Sequence, residues 1–123
     1  MKRMWTIAFA ITIGCGGEMS PREACEQSAS VACERLYACF TAAELAAASF
    51  PPSEAGCVTV FQAQYGCAAR TVQNSCDGNA QWHASDAEVC IDQVQGLECS
   101  QIRASNFDVE SQAPACDRVC RVD

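Results

Sequence analysis

The sequence predicts an all-α fold, a small disulfide-stapled bundle of four to five short helices. Three observations predict it. Ser/Thr-x-x-Glu capping boxes recur along the chain, apolar residues fall at helical spacing without a sustained alternating pattern, and ten of the eleven cysteines lie between Cys25 and Cys120. The chain is 123 residues long, enough for one domain with a limited core, so cross-links weigh heavily in its stability.

The first segment, 1–14, is laid out as a secretory leader. Lys2 and Arg3 supply a positive start, and Met4 to Ile13 form an apolar run of ten residues. A bilayer-spanning helix needs about 20 such residues, so this run is too short to cross. At Thr12-Ile13-Gly14-Cys15 it resembles the lipobox of bacterial lipoproteins, with Gly14 at −1, Ile13 at −2 and the cysteine at Cys15. Thr12 stands at −3, where that family usually has leucine. The resemblance implies cleavage before Cys15 and acylation of its thiol and new amino group, since several acyl chains give lasting anchorage where one does not. Gly16 is not the aspartate that marks inner-membrane retention in many such proteins, which implies the outer membrane or cell surface. Residues 15–19 then form a short tether, and 20–123 the Cys-rich helical domain.

Ser20-Pro21-Arg22-Glu23 opens the first helix, with serine at N-cap, proline at N1 and glutamate at N3. At about 100° per residue, Cys25, Ala29, Ala32, Cys33, Leu36, Cys39 and Phe40 share an arc of roughly 120°, predicting one buried face that carries three cysteines. Thr41-Ala42-Ala43-Glu44 repeats the capping box before a short alanine-rich helix to about Ser49, closed by Phe50-Pro51-Pro52. Ser53 caps a second long helix, expected from Glu54 to Gln73, whose inner face is Cys57, Val60, Phe61, Tyr65, Cys67, Ala68 and Val72.

Asn74 to Gln81 is rich in turn formers and is expected to be a loop. Ser85-Asp86-Ala87-Glu88 reads as a third capping box, and its helix places Cys90, Val94 and Leu97 on one side. Cys99 would fall opposite Cys90 if that helix continued, so a stop near Gly96 is expected, freeing Cys99 to turn inward. Ser100 to Ala104 reads as a helical turn and Asn106 to Ala113 as loop. A last short helix starts at Pro114, with Cys116 and Cys120 on one face.

From Cys25 onward the cysteine spacings are x7, x5, x17, x9, x8, x13, x8, x16 and x3, with no Cys-x-x-Cys and a single histidine, His83. Zinc sites and thioredoxin-type redox sites need shorter pairs or more histidines, so the sequence implies neither metal nor cofactor. Complete pairing of Cys25, Cys33, Cys39, Cys57, Cys67, Cys76, Cys90, Cys99, Cys116 and Cys120 is expected, in an oxidising compartment. Ten cysteines allow about 945 complete pairings. An antiparallel hairpin of the first and second long helices would put Cys39 and Cys57 at its closed end, so Cys39–Cys57 is the one bridge predicted.

Several features together resemble the cysteine-rich, uncharacterised lipoproteins that are numerous in myxobacteria and related bacteria. They are the lipobox-like signal, Cys25…Cys33…Cys39-Phe40, Gly56-Cys57, Cys90…Cys99 and Pro114-Ala115-Cys116-Asp117-Arg118-Val119-Cys120. The resemblance covers nearly the whole chain and implies location and architecture, since those families carry no established biochemical activity.

Net charge is −7, and loss of Lys2 and Arg3 with the leader would leave −9, with six arginines against fifteen acids. Nucleic acid and anionic headgroups, which need clustered positive charge, are poor partners for such a surface. His83 beside Trp82 has no recognisable nucleophile motif to act on, and Asp77-Gly78-Asn79 has too few carboxylates for a calcium loop. No catalytic constellation emerges. The expectation is a non-enzymatic structural or binding module anchored to a membrane by lipid, with an unidentified protein partner. The alternatives are a freely secreted effector or inhibitor, and an oxidoreductase or metal-binding protein using free thiols. Trp82 and Phe107, aromatic residues in expected loops, are the candidate partner contacts.

Overall fold

The computed structural model describes residues 18–123; the leader-like segment, Cys15 and the first residues of the tether lie outside them. The fold is all-α and disulfide-rich. Six α-helices occur among the described residues: α1 Pro21–Cys39, α2 Ala42–Ala47, α3 Glu54–Gln64, α4 Ala84–Gln95, α5 Cys99–Ile102 and α6 Val109–Gln112. Short 3-10 helices at Cys67–Ala69 and Pro114–Arg118 complete the helical set.

Local chemistry places the first three starts. Ser20 and Thr41 each accept from the N–H of the glutamate three residues on, at 3.2 Å, and that glutamate accepts in return from the cap residue's own N–H. The reciprocal bonds satisfy donors that a bare helix end would leave unpaired. Ser53 accepts from Gly56 N–H at 3.0 Å and caps α3 without a reciprocal bond, since Gly56 has no side chain.

Several expectations need correction. Helix α3 ends at Gln64 rather than Gln73, because Gly66 takes a left-handed backbone (φ +62°) and the chain leaves the helix axis there. Val60, Tyr65 and Val72, expected on an inner face, are exposed, while Cys57 and Cys67 are buried. Helix α4 starts at Ala84 with His83 at N-cap, so Ser85 is inside the helix and is no cap. The cause is distant in sequence: Gln81–Trp82 (β1) pairs antiparallel with Cys120–Arg121 (β2), and His83 N–H donates to the Val119 carbonyl at 2.8 Å. That extended pairing holds His83 in the extended conformation an N-cap requires. The stretch expected as loop between Asn106 and Ala113 contains α6, started by Asp108, which accepts from Glu110 N–H. The stop of α4 at Gly96 agrees with expectation.

The disulfides are Cys25–Cys67, Cys33–Cys57, Cys39–Cys99, Cys76–Cys120 and Cys90–Cys116. Cys39–Cys57 is therefore overturned. The residue of α1 that faces α3 is Cys33, almost two turns before the helix end, and Cys39 instead reaches α5. The chain between α1 and α3 is not a tight hairpin turn but includes α2 and the Phe50-Pro51-Pro52 corner, so α3 starts alongside the body of α1.

Helix α1 is the spine and buries two flanks instead of one face. On one flank Ala24 and Val31 pack on Ala87 and Ile91 of α4, with Met19, Trp82, Val94 and Val119 around them. On the other flank Cys33–Cys57 and Cys25–Cys67 staple it to α3 and the following 3-10 turn. Met19, at the end of the expected tether, is part of this packing, and its carbonyl accepts from the Trp82 indole at 3.2 Å. The five bridges suit an oxidising, extracytoplasmic compartment, and no helix among the described residues is long and apolar enough to cross a membrane.

Candidate functional site

Between its two packed flanks α1 presents a third strip: Pro21, Cys25, Ser28 and Ala32, one helical turn apart, along the floor of a cleft of about 600 Å³. Phe61 of α3 and Tyr65, the residue just after it, form one wall, with their rings edge to face at 5.9 Å. Ala87 and Cys90 of α4, with Val119 and Trp82, form the other. The floor residues are small. Its volume falls in the range of about 300–1,000 Å³ seen for ligand pockets, and its apolar lining with few polar groups matches their chemistry.

Charge sits on the rim. Glu110 and Asp117 line the cleft on the α4 side and Arg70 on the other. Arg70 Nε donates to the Tyr65 carbonyl at 3.1 Å, which closes the turn after α3. Glu110 and Asp117 are exposed, and neither belongs to an ion pair among the described residues.

Trp82 is partly buried in the cleft wall, so this candidate contact is at the site. Phe107, 39% exposed between α5 and α6, does not line the cleft. The structure does not bring the two together there. The cleft is not legible in the sequence because Cys25, Ala29, Ala32 and Cys33 share one expected buried face, whereas in the structure Ala29 and Cys33 are buried and Cys25 and Ala32 are only partly so.

His83 sits in a different place, at the junction of β1 and α4. Its Nε2 lies 3.1 Å from Asp123 Oδ1, without the alignment of a hydrogen bond. Beside it Asp86 takes Arg121 and, at 3.5 Å, Arg118. Desolvation pushes the Asp86 carboxyl upward, but the hydrogen bonds and charges of the two arginines outweigh it and hold the pKa below its ordinary value. This cluster clasps the C-terminal segment to α4. The disulfides account for all ten cysteines of the described residues, and no group of three or more His, Cys, Asp or Glu there could hold a metal ion. Arg35 is placed beside the Cys39–Cys99 bridge, its Nη2 3.6 and 3.8 Å from the two sulfurs and its Nε buried without a partner.

No protein-family model, curated protein or solved structure matches the chain.

Proposed function

We propose that the protein is a membrane-anchored extracytoplasmic lipoprotein whose stapled helical domain is a binding module without catalysis. The observation that carries this reading is the cysteine count: ten of eleven close among themselves, and the eleventh, Cys15, directly follows an apolar run that ends at a small residue. The lipobox-like Thr12-Ile13-Gly14-Cys15 and the likeness to cysteine-rich myxobacterial lipoproteins support it. The open apolar cleft supports a binding role, with Trp82 as a contact.

The anchoring claim is tested by Cys15→Ser in the native host. The wild-type protein fractionates with membranes and has an intact mass raised by acyl groups on Cys15; the variant is released as soluble protein. A mature wild-type chain without lipid and with a different N-terminus selects the freely secreted reading instead.

A further inference from the structure

We infer that the cleft along α1 is a receptor groove for one basic amphipathic helix of a partner protein. This deepens the binding-module reading and rests on it, but it does not depend on the lipid anchor.

Shape comes first. The floor is a helix, and Pro21, Cys25, Ser28 and Ala32 along it offer little side-chain bulk. Helices α3 and α4 each contribute to a wall, completed by Tyr65, Trp82 and Val119, and they are held to either side of the floor by the Cys33–Cys57 bridge and by the Ala24–Val31–Ala87–Ile91 cluster. Packed helices sit about 8–10 Å apart, and small residues permit the closer end of that range, so a trough walled by two helices accepts a further helix along its length. From Pro21 to Ala32 the floor runs for about 16 Å, or three turns. A docked helix would place residues at i, i+3 or i+4, and i+7 into the trough, against Phe61, Tyr65 and Trp82.

Charge complementarity selects the sign of the partner. Glu110 and Asp117 stand on the rim without ion-pair partners among the described residues. Glu44 pairs with Arg103, Asp86 with Arg118 and Arg121, and Glu26 with Arg22, whereas most acids, Glu110 and Asp117 included, carry no ion pair among the described residues and leave the surface acidic. Among the described residues Arg70 is the one opposing charge that lines the cleft, while the chain as a whole carries −7. Lysines or arginines flanking an apolar helical stripe therefore meet two free carboxylates within an acidic surface, and the attraction weakens with salt.

The purified protein, with its bridges intact, is titrated into a fluorescein-labelled synthetic helix of leucine and lysine and into the same helix with glutamate replacing lysine, read by anisotropy. The basic peptide is expected to bind at least tenfold more tightly than the acidic one. Glu110→Gln with Asp117→Gln, both at exposed positions, should weaken it about tenfold, and Glu54→Gln, outside the cleft, should leave it unchanged. Ser28→Trp should abolish binding by filling the floor, with circular dichroism and the disulfide map confirming that the fold is kept. Equal affinity for both peptides, no binding of either, or binding unaffected by Ser28→Trp would overturn the inference. So would uptake of a fatty acid that displaces the peptide from a site insensitive to the carboxylate changes, or a dimer in sedimentation that Ser28→Trp dissociates. Loss of membrane anchorage in Cys15→Ser leaves these titrations unaltered, which keeps the two proposals separable.

Discussion

Arg103 holds Glu44 through two N–H donors, Nη1 to Oε2 at 3.0 Å and Nη2 to Oε1 at 2.7 Å, across 59 residues of sequence. The same guanidinium donates to the Cys39 carbonyl at 2.9 Å and lies 4.8 Å from the centre of the Phe40 ring. One side chain thus joins the end of α5 to both sides of the α1–α2 corner, next to the Cys39–Cys99 bridge. The hydrogen bonds from Arg103, with that from Thr41 N–H, lower the pKa of Glu44 from 4.5 to about 2.

A carboxylate whose pKa is depressed on folding adds stability above its unfolded value and loses it as pH falls toward the folded one. Glu44 therefore makes the protein less stable as pH drops from 4.5 to about 2. Thermal unfolding followed across that window should show a shallower fall in Tm for Glu44→Gln than for the wild type. Superimposable slopes would remove this ion pair from the acid response.

Cys33 and Cys57 are both fully buried and join the middle of α1 to α3. Replacing both with alanine should cost about 2–5 kcal/mol, the usual loss when a small secreted domain gives up a native bridge. Chemical denaturation measures it. Non-reducing peptide maps of the wild type should show Cys33 joined to Cys57 and Cys39 to Cys99; a Cys39–Cys57 peptide would contradict the arrangement of helices described above.

Arg35 bears on how the Cys39–Cys99 bridge reacts. A dithiol reductant attacks one sulfur and expels the other as a thiolate, then closes its own disulfide as the second thiolate leaves. A guanidinium beside the sulfurs stabilises the departing thiolate and speeds the exchange. Timed reduction, alkylation and mass spectrometry should find Cys39 and Cys99 labelled before the buried Cys33 and Cys57. In Arg35→Met the Cys39–Cys99 bridge should open several-fold more slowly; an unchanged rate would assign its reactivity to exposure alone.

Gly66 and Gly96 make a matched pair. An added methyl at Gly66 meets nothing within 4 Å, so Gly66→Ala is opposed only by its left-handed backbone at φ +62° and should cost about 1–2 kcal/mol. At Gly96 the backbone is right-handed (φ −82°) and the added methyl makes ordinary contact with the Asp92 carbonyl at 3.5 Å. Gly96→Ala should leave Tm nearly unchanged. Equal losses at both sites would show that the left-handed turn is not what ends α3.

Features that depend on a few neighbouring residues are legible in the chain itself. The caps at Ser20 and Thr41 close between residues three apart, so they form wherever the segment lies, and they announce the helices that follow. The break at Gly66 was equally local: a glycine after Gln64-Tyr65 is a signal for a left-handed C-terminal turn, overlooked because the apolar spacing continues beyond it. Helical spacing and the absence of metal-type cysteine spacing were sufficient for the all-α, disulfide-stapled class. Ser85 marks the limit of local reading. It has the form of a cap, yet the helix starts at Ala84 because Val119, 36 residues on, holds the His83 N–H.

The sequence by itself determined the starts of α1, α2 and α3 and the closure of ten cysteines as a set, since capping needs only local hydrogen bonds and the ten from Cys25 to Cys120 are even in number. Tertiary structure decided which sulfur meets which, and it alone made the cleft. Helical periodicity places Cys25 and Ala32 on one side of α1 but says nothing of what stands there. Only the positions of α3 and α4, one on each flank, make that strip the floor of a cleft, with Glu110 and Asp117 at its edge.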